Sequence, residues 1–137
     1  MAQSYARDMG AAARRHLEAG EYLLERNPPR GDVAGYLFGL AAECALKQMM
    51  LAANMRRLPD ADRKNDPFFA HFQELKTLLL DRASGRLASR LNGYASDSRF
   101  MQYWDIRMRY SDGKGIKVEW IKRWHGSARD VVGAMDS

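Results

Sequence analysis

Three histidines, His16, His71 and His125, and one cysteine, Cys44, are the side chains of this sequence best suited to proton transfer or nucleophilic chemistry. An unperturbed imidazole titrates near neutral pH, which suits general acid and base work. His71 is the best placed. Pro67 is a favoured first-turn residue and opens an expected helix, so His71 falls where free backbone donors and a positive dipole end can help hold an anion. The plainer alternative is a histidine that bonds to a neighbouring helix or loop. His16 lies near the apolar stripe of the first expected helix and reads as a core residue. His125 flanks the stripe of the last one and reads as a solvent contact. No two histidines share a helix, so there is no metal-ligand spacing, and nothing calls for a metal or a cofactor. A lone cysteine excludes an intrachain disulfide and a multi-cysteine zinc site, and its neighbours Ala42 and Ala45 mark Cys44 as a buried, inert thiol. Gly113-Lys114-Gly115 follows no strand and matches no phosphate loop. Ser84 and Ser111 have no nucleophile-elbow context, and no Ser-His-Asp triad can be assembled.

The formal charge is +5, and its placement says more than its size. Between Arg99 and Arg129 stand eight basic residues (Arg99, Arg107, Arg109, Lys114, Lys117, Lys122, Arg123, Arg129) against three acidic ones (Asp105, Asp112, Glu119), so this segment carries the whole excess. An anionic partner, RNA or a nucleotide, is expected to meet this C-terminal third; a solvated basic face is the other reading. Arg107, Arg109 and Tyr110 are the strongest binding candidates. Guanidinium forks match phosphate geometry, and a tyrosine can stack on a base. All three tryptophans fall in the same third and read as core rather than as stacking platforms. On a helical wheel Arg107 borders the Phe100/Trp104 face and Arg109 points away. Lys122 and Arg123 face away from the apolar stripe of their helix. Glu43 and Lys47, four residues apart, are either polar groups lining a pocket or an intrahelical ion pair.

These residues are positioned by helices. Ser4 can cap a first helix running to about Arg26, with Tyr5, Met9, Ala12, His16 and Leu23 on one face, and Asn27-Pro28-Pro29 ends it. Asp32 can cap a second helix reaching about Ala53. That stretch is long enough to span a bilayer, but Glu43 and Lys47 sit where charge is expensive in lipid, and no membrane role is expected. Gly35 and Gly39 have the spacing of a close helix contact. A polar, mobile connector runs from Asn54 to Pro67. A third helix follows, with Phe68, Phe72, Leu75 and Leu79 inward, closed by Ser84-Gly85. A short helix over Arg86–Leu91 precedes Asn92-Gly93, and another over Asp97–Arg109 turns Phe100, Met101, Trp104 and Met108 inward. After the loop Ser111–Gly115, a last helix from Lys117 repeats Val118, Ile121, Trp124, Ala128, Val131 and Met135. The expectation is an all-α, up-and-down bundle of five or six helices forming one domain over 1–137. Its core would be Leu37, Leu40, Cys44, Leu46, Phe72, Leu75, Trp104 and Ile121. Charges interrupt the first twenty residues, so no secretory leader is expected and cytoplasmic residence is the default.

The run Ala34-Gly35-Tyr36-Leu37-Phe38-Gly39-Leu40-Ala41-Ala42-Glu43-Cys44-Ala45-Leu46-Lys47 resembles the second-helix signature of the HEPN superfamily, small helical domains found with nucleotidyltransferases. The segment His71–Leu78 resembles that family's His-then-Leu helix, and Trp104–Tyr110 its Arg-Tyr turn. The resemblance implies a HEPN-like bundle that binds a nucleotide, RNA or a protein partner, and a second helix that is apolar nearly all round predicts self-association as a homodimer. Ribonuclease members carry an arginine followed a few residues later by a histidine. Here Arg63 precedes His71 by seven intervening residues, Arg123 precedes His125 by one, and Arg15 is adjacent to His16. The expected role is therefore a non-catalytic binding module. Two alternatives stand beside it: a metal-independent ribonuclease using His71 with Arg107 or Arg109, and the partner of a nucleotidyltransferase in a toxin-antitoxin pair.

Overall fold

The computed structural model describes residues 5–82 and 88–136. Among them run five α-helices: α1 Met9–Glu25, α2 Gly31–Ala52, α3 Glu74–Arg82, α4 Ser89–Ser96 and α5 Val118–Ala134. Short 3-10 turns occupy Asp60–Asn65, Pro67–Phe69 and Ile106–Tyr110, and no described residue is in a strand. The chain is thus an all-helical, up-and-down bundle. Residue pairings fix the directions of the helices. Gly10 lies by Gln48 and Gly20 by Phe38, so α1 and α2 are antiparallel. Gly31 and Gly35 lie by Ile121 and Trp124, so α5 runs parallel to α2. Arg90 donates to the Ala134 carbonyl and the Tyr94 hydroxyl to Asp130, which lays α4 antiparallel along α5. No described helix is long and apolar enough to cross a membrane.

Helix α1 starts later than the sequence suggests. Its cap is Asp8, whose carboxylate accepts from the Ala11 amide at 2.9 Å; Ser4 lies outside the described residues. The inward face is Gly10, Ala13 and Gly20 rather than the stripe through Met9 and Ala12, and Tyr5 is exposed. A β-carbon on Gly20 would overlap the Phe38 ring, so the small residues are what lets α2 close on α1. Asn27-Pro28-Pro29 ends α1 as expected. Asp32 sits inside the first turn of α2, not at its cap, which is Arg30.

The middle of the chain departs most from its periodicity. The connector folds into two 3-10 turns. The Asp66 carboxylate accepts from the Phe68 and Leu58 amides at 3.0 and 2.8 Å, and it caps a single turn instead of the expected long helix. The Phe72 amide, which a helix would bond to its own carbonyl ladder, is taken by Glu43 on α2 at 3.0 Å, and α3 begins only at Glu74. The boundaries expected at Ser84-Gly85 and Arg86 lie outside the described residues. Helix α4 runs straight through Asn92-Gly93. The helix expected over Asp97–Arg109 is a series of turns, because Met101 and Tyr103 have left-handed φ values of 55° and 71°. Side chains of α3 and of the residue before it hold those turns: Lys76 donates to the Asp97 and Phe100 carbonyls, and Gln73 to those of Met101 and Trp104.

Leu46, Phe72, Leu75, Trp104 and Ile121 are buried as expected, whereas Leu37, Leu40 and Cys44 lie half-buried on the outer side of α2. Because α2 is apolar nearly all round, its composition does not reveal its phase. The inward side is Phe38, Ala42, Leu46 and Met50, with Gly39 beneath the Trp104 indole.

Leu46→Ala should cost about 2–5 kcal/mol in urea unfolding, as a buried leucine does. Gly39→Ala should cost about 1–3 kcal/mol, since the added carbon overlaps Trp104. Gly126 has open space around it on exposed α5 surface, so Gly126→Ala should stabilise by about 0.5–1 kcal/mol through helix propensity alone. The reverse order of the two glycine variants would contradict this packing.

Candidate functional site

Glu43 is the one residue of α2 that fastens the segment after the connector. It is only 2% exposed, and its two oxygens have separate tasks: one accepts from the Phe72 amide, the other lies 2.9 Å from His71 Nδ1. The expected Glu43–Lys47 ion pair does not form. Lys47, 7% exposed, pairs with no carboxylate among the described residues. His71 lies three residues before α3, which begins at Glu74 and not near Pro67, so it stands near the helix start as expected but outside the helix, its carbonyl accepting from the Leu75 amide at 2.8 Å. A buried carboxylate on one imidazole nitrogen fixes the ring and leaves Nε2 for a partner, which is the orienting arrangement used in general acid–base catalysis. No hydrogen bond or ion pair joins His71 to Arg107 or Arg109.

The other histidines are structural. His125 is bonded at 2.8 Å to Glu21 of α1 and stacks on Phe38, in place of the expected solvent contact. His16 is half-buried, and burial, aided by Arg15, pushes its pKa down. Burial pushes the Cys44 pKa up and keeps the thiol protonated. Among the described residues no cluster of three or more His, Cys, Asp or Glu side chains could hold a metal ion.

The C-terminal candidates lie on two neighbouring elements. Arg107 does not border the core as the wheel suggested; its side chain is 84% exposed and held by Asp105, Nε and Nη2 donating at 2.9 and 2.8 Å. That hydrogen bonding pulls the Asp105 pKa down to about 2. Arg109 sits 4.8 Å over the ring of Tyr110 and beside the Tyr36 hydroxyl, which raises its pKa. Tyr110 is 78% exposed. Lys122 and Arg123 are exposed on the outer face of α5, as their phase predicts. Of the tryptophans, Trp104 and Trp124 are core residues, each donating its indole N–H to a carbonyl, of Gly35 and Gln102. Trp120 is only partly covered: exposed Tyr103 stacks on it at 4.7 Å, with Lys117 5.4 Å from the same ring. Two ring–cation groups result, Arg109 on Tyr110 and Lys117 on Trp120 with Tyr103, and neither cation forms an ion pair among the described residues.

One grouping was not visible in the sequence. Arg7, Arg57 and Arg63 converge on the ring of Phe69, although they are scattered through the chain. The only hint was the basic content of the connector, which mixed charge concealed.

Compared with known proteins, the chain matches no family model, no curated protein and no solved structure. The HEPN resemblance accordingly rests on the residues named for it.

Proposed function

We propose that this chain is a HEPN-like, non-catalytic binding module whose ligand is single-stranded RNA, taken on the basic and aromatic face of the C-terminal third. The observation that carries this reading is the pairing of aromatic rings with cations that form no ion pair among the described residues: Tyr110 with Arg109, and Tyr103 on Trp120 with Lys117. Unstacked bases lie on tyrosine and tryptophan rings, and guanidinium and ammonium groups meet the phosphates between them. Lys122 and Arg123 add exposed positive charge on α5. A nucleotide would engage the same groups. A protein partner, such as a nucleotidyltransferase of a toxin-antitoxin pair, is the rival occupant of the face.

The ribonuclease reading is favoured by the Glu43–His71 pair, with an oriented imidazole on a half-exposed turn. It requires RNA to reach His71, and cleavage without added metal that is lost in His71→Ala would establish it.

The module is proposed to act as a homodimer. Val33, Leu37, Leu40 and Cys44 leave partly exposed apolar groups along α2 at the four-three spacing of a two-helix seam, which passes over Lys47 and resumes at Leu51; Val33 and Leu51 are 38% and 44% exposed. Such a stripe is self-complementary about a twofold axis. Sedimentation should report a dimer that Leu40→Glu dissociates. A strictly monomeric species at high micromolar concentration would contradict it.

Replacing Arg109, Lys122 and Arg123 together by alanine removes no buried group and should leave Tm nearly unchanged. Fluorescence anisotropy with a single-stranded oligonucleotide should show weakened binding across sequences and a salt slope reduced by up to ~2, about 0.7 per lost contact. If the unmodified protein does not bind near ~50 mM salt, where such contacts are favoured, RNA is not the ligand and the face is a docking surface for protein.

A further inference from the structure

Phe69 is carried outward by its neighbours. Phe68 and Ala70 are buried at 7% and 6% exposure, so the 3-10 turn between them holds the Phe69 ring half-exposed. Three guanidinium groups lie against that ring, those of Arg63, Arg57 and Arg7 at 4.4, 4.5 and 5.4 Å from its centroid. They come from separate places: one before α1, two on the connector. The Asp66 carboxylate fixes the arrangement, because it binds the Leu58 and Phe68 amides at once and so lays Arg57 beside Phe69.

Three like charges this close to one centroid are separated by no more than about one Debye length, ~10 Å at 0.1 M salt, and repel one another. No carboxylate forms an ion pair with any of them among the described residues. Of the acids near them, Asp66 is buried in its two amide bonds, Asp8 caps α1 and Glu74 stands in the first turn of α3, while Asp60 and Asp62 share the turn of Arg63 without an ion pair to it. Ring faces attract each cation weakly but leave its charge intact. Clefts open on both sides of the turn. One, of about 400 Å³, is lined by Arg63, Lys64, Asp66, Phe69 and Glu74; the other, of about 360 Å³, by Arg7, Asp8, Gln48, Arg57 and Phe68.

We propose that Arg7, Arg57 and Arg63 around Phe69 form a binding site for a linear phosphate chain, a pyrophosphate or triphosphate. A single phosphate cannot present an edge to three forks arranged about a ring, whereas a chain of two or three phosphoryl groups offers successive oxygens to each. The site is distinct from the basic face of α5 and does not depend on RNA binding there.

Isothermal titration of the full chain in low salt with inorganic phosphate, pyrophosphate and tripolyphosphate tests it. Affinity should rise along that series. Arg57→Gln and Arg63→Gln, both at exposed positions, should each weaken tripolyphosphate about tenfold or more, as loss of a charge-assisted bond does. The double variant Lys122→Gln/Arg123→Gln should leave it unchanged while weakening RNA. A nucleoside triphosphate that binds at least tenfold tighter than tripolyphosphate identifies a nucleotide as the source, and equal affinity identifies the phosphate chain alone. The site is refuted by no saturable binding of tripolyphosphate up to about 1 mM, a millimolar Kd being the weakest worth calling specific. It is equally refuted if Arg57→Gln and Arg63→Gln bind as the unmodified protein does, or if the α5 variant loses as much as they do.

Discussion

The Trp104 indole packs directly against Gly39 of α2, and the rest of the bundle depends on that contact. A ring can approach a helix backbone so closely only where no β-carbon intervenes. Gly39 supplies that position, and a carbon added there would overlap the ring. The buried indole N–H also needs an acceptor, which the Gly35 carbonyl one turn earlier provides at 3.1 Å. This pins the irregular chain between α4 and α5 onto the central helix. Gln73 holds the Trp104 carbonyl, and Phe72 meets the ring edge-on, so the entry to α3 is fixed by the same residue. Tyr36 of α2 stacks on the same indole and places its hydroxyl beside Arg109.

Helices α1, α2 and α5 were legible in the sequence because their positions are set locally, by the Asn27-Pro28-Pro29 break and by a clear apolar period in α5. The stretch from Leu58 to Tyr110 was not. There the backbone bonds to side chains distant in sequence, Glu43 to the Phe72 amide and Lys76 to the Asp97 and Phe100 carbonyls, and such bonds override any local period. The orientation of α2 was hidden for another reason. With apolar residues on nearly every side, nothing in its composition separates inward Leu46 from outward Leu40. Among the candidate residues, the exposure of Arg109, Tyr110, Lys122 and Arg123 followed from helical phase or polarity. The Glu43–His71 pair did not, since twenty-eight positions separate its members.

The net charge becomes informative once each cation is assigned a neighbour. Arg14, Arg30 and Arg107 are answered by Asp136, Asp32 and Asp105. Arg7, Arg57 and Arg63 lie on Phe69, Arg109 on Tyr110 and Lys117 on Trp120. An aromatic face contributes about 0.5–1 kcal/mol at an exposed site without neutralising the charge. Cations held this way are oriented and still free to meet an anion. The partition separates cations answered by a carboxylate from those that lie on an aromatic ring, a distinction the formal total of +5 cannot make.

The three indole N–H groups allow a direct test of RNA recognition by the C-terminal face. Those of Trp104 and Trp124 are bonded to carbonyls inside the bundle, whereas Trp120 lies between Tyr103 and Lys117 at its edge. In a 15N-correlated NMR titration with a single-stranded oligonucleotide, the Trp120 indole resonance should shift with saturation while those of Trp104 and Trp124 stay in place. An unmoved Trp120 signal at saturating oligonucleotide, or equal shifts of all three, would contradict the assignment of this face to RNA.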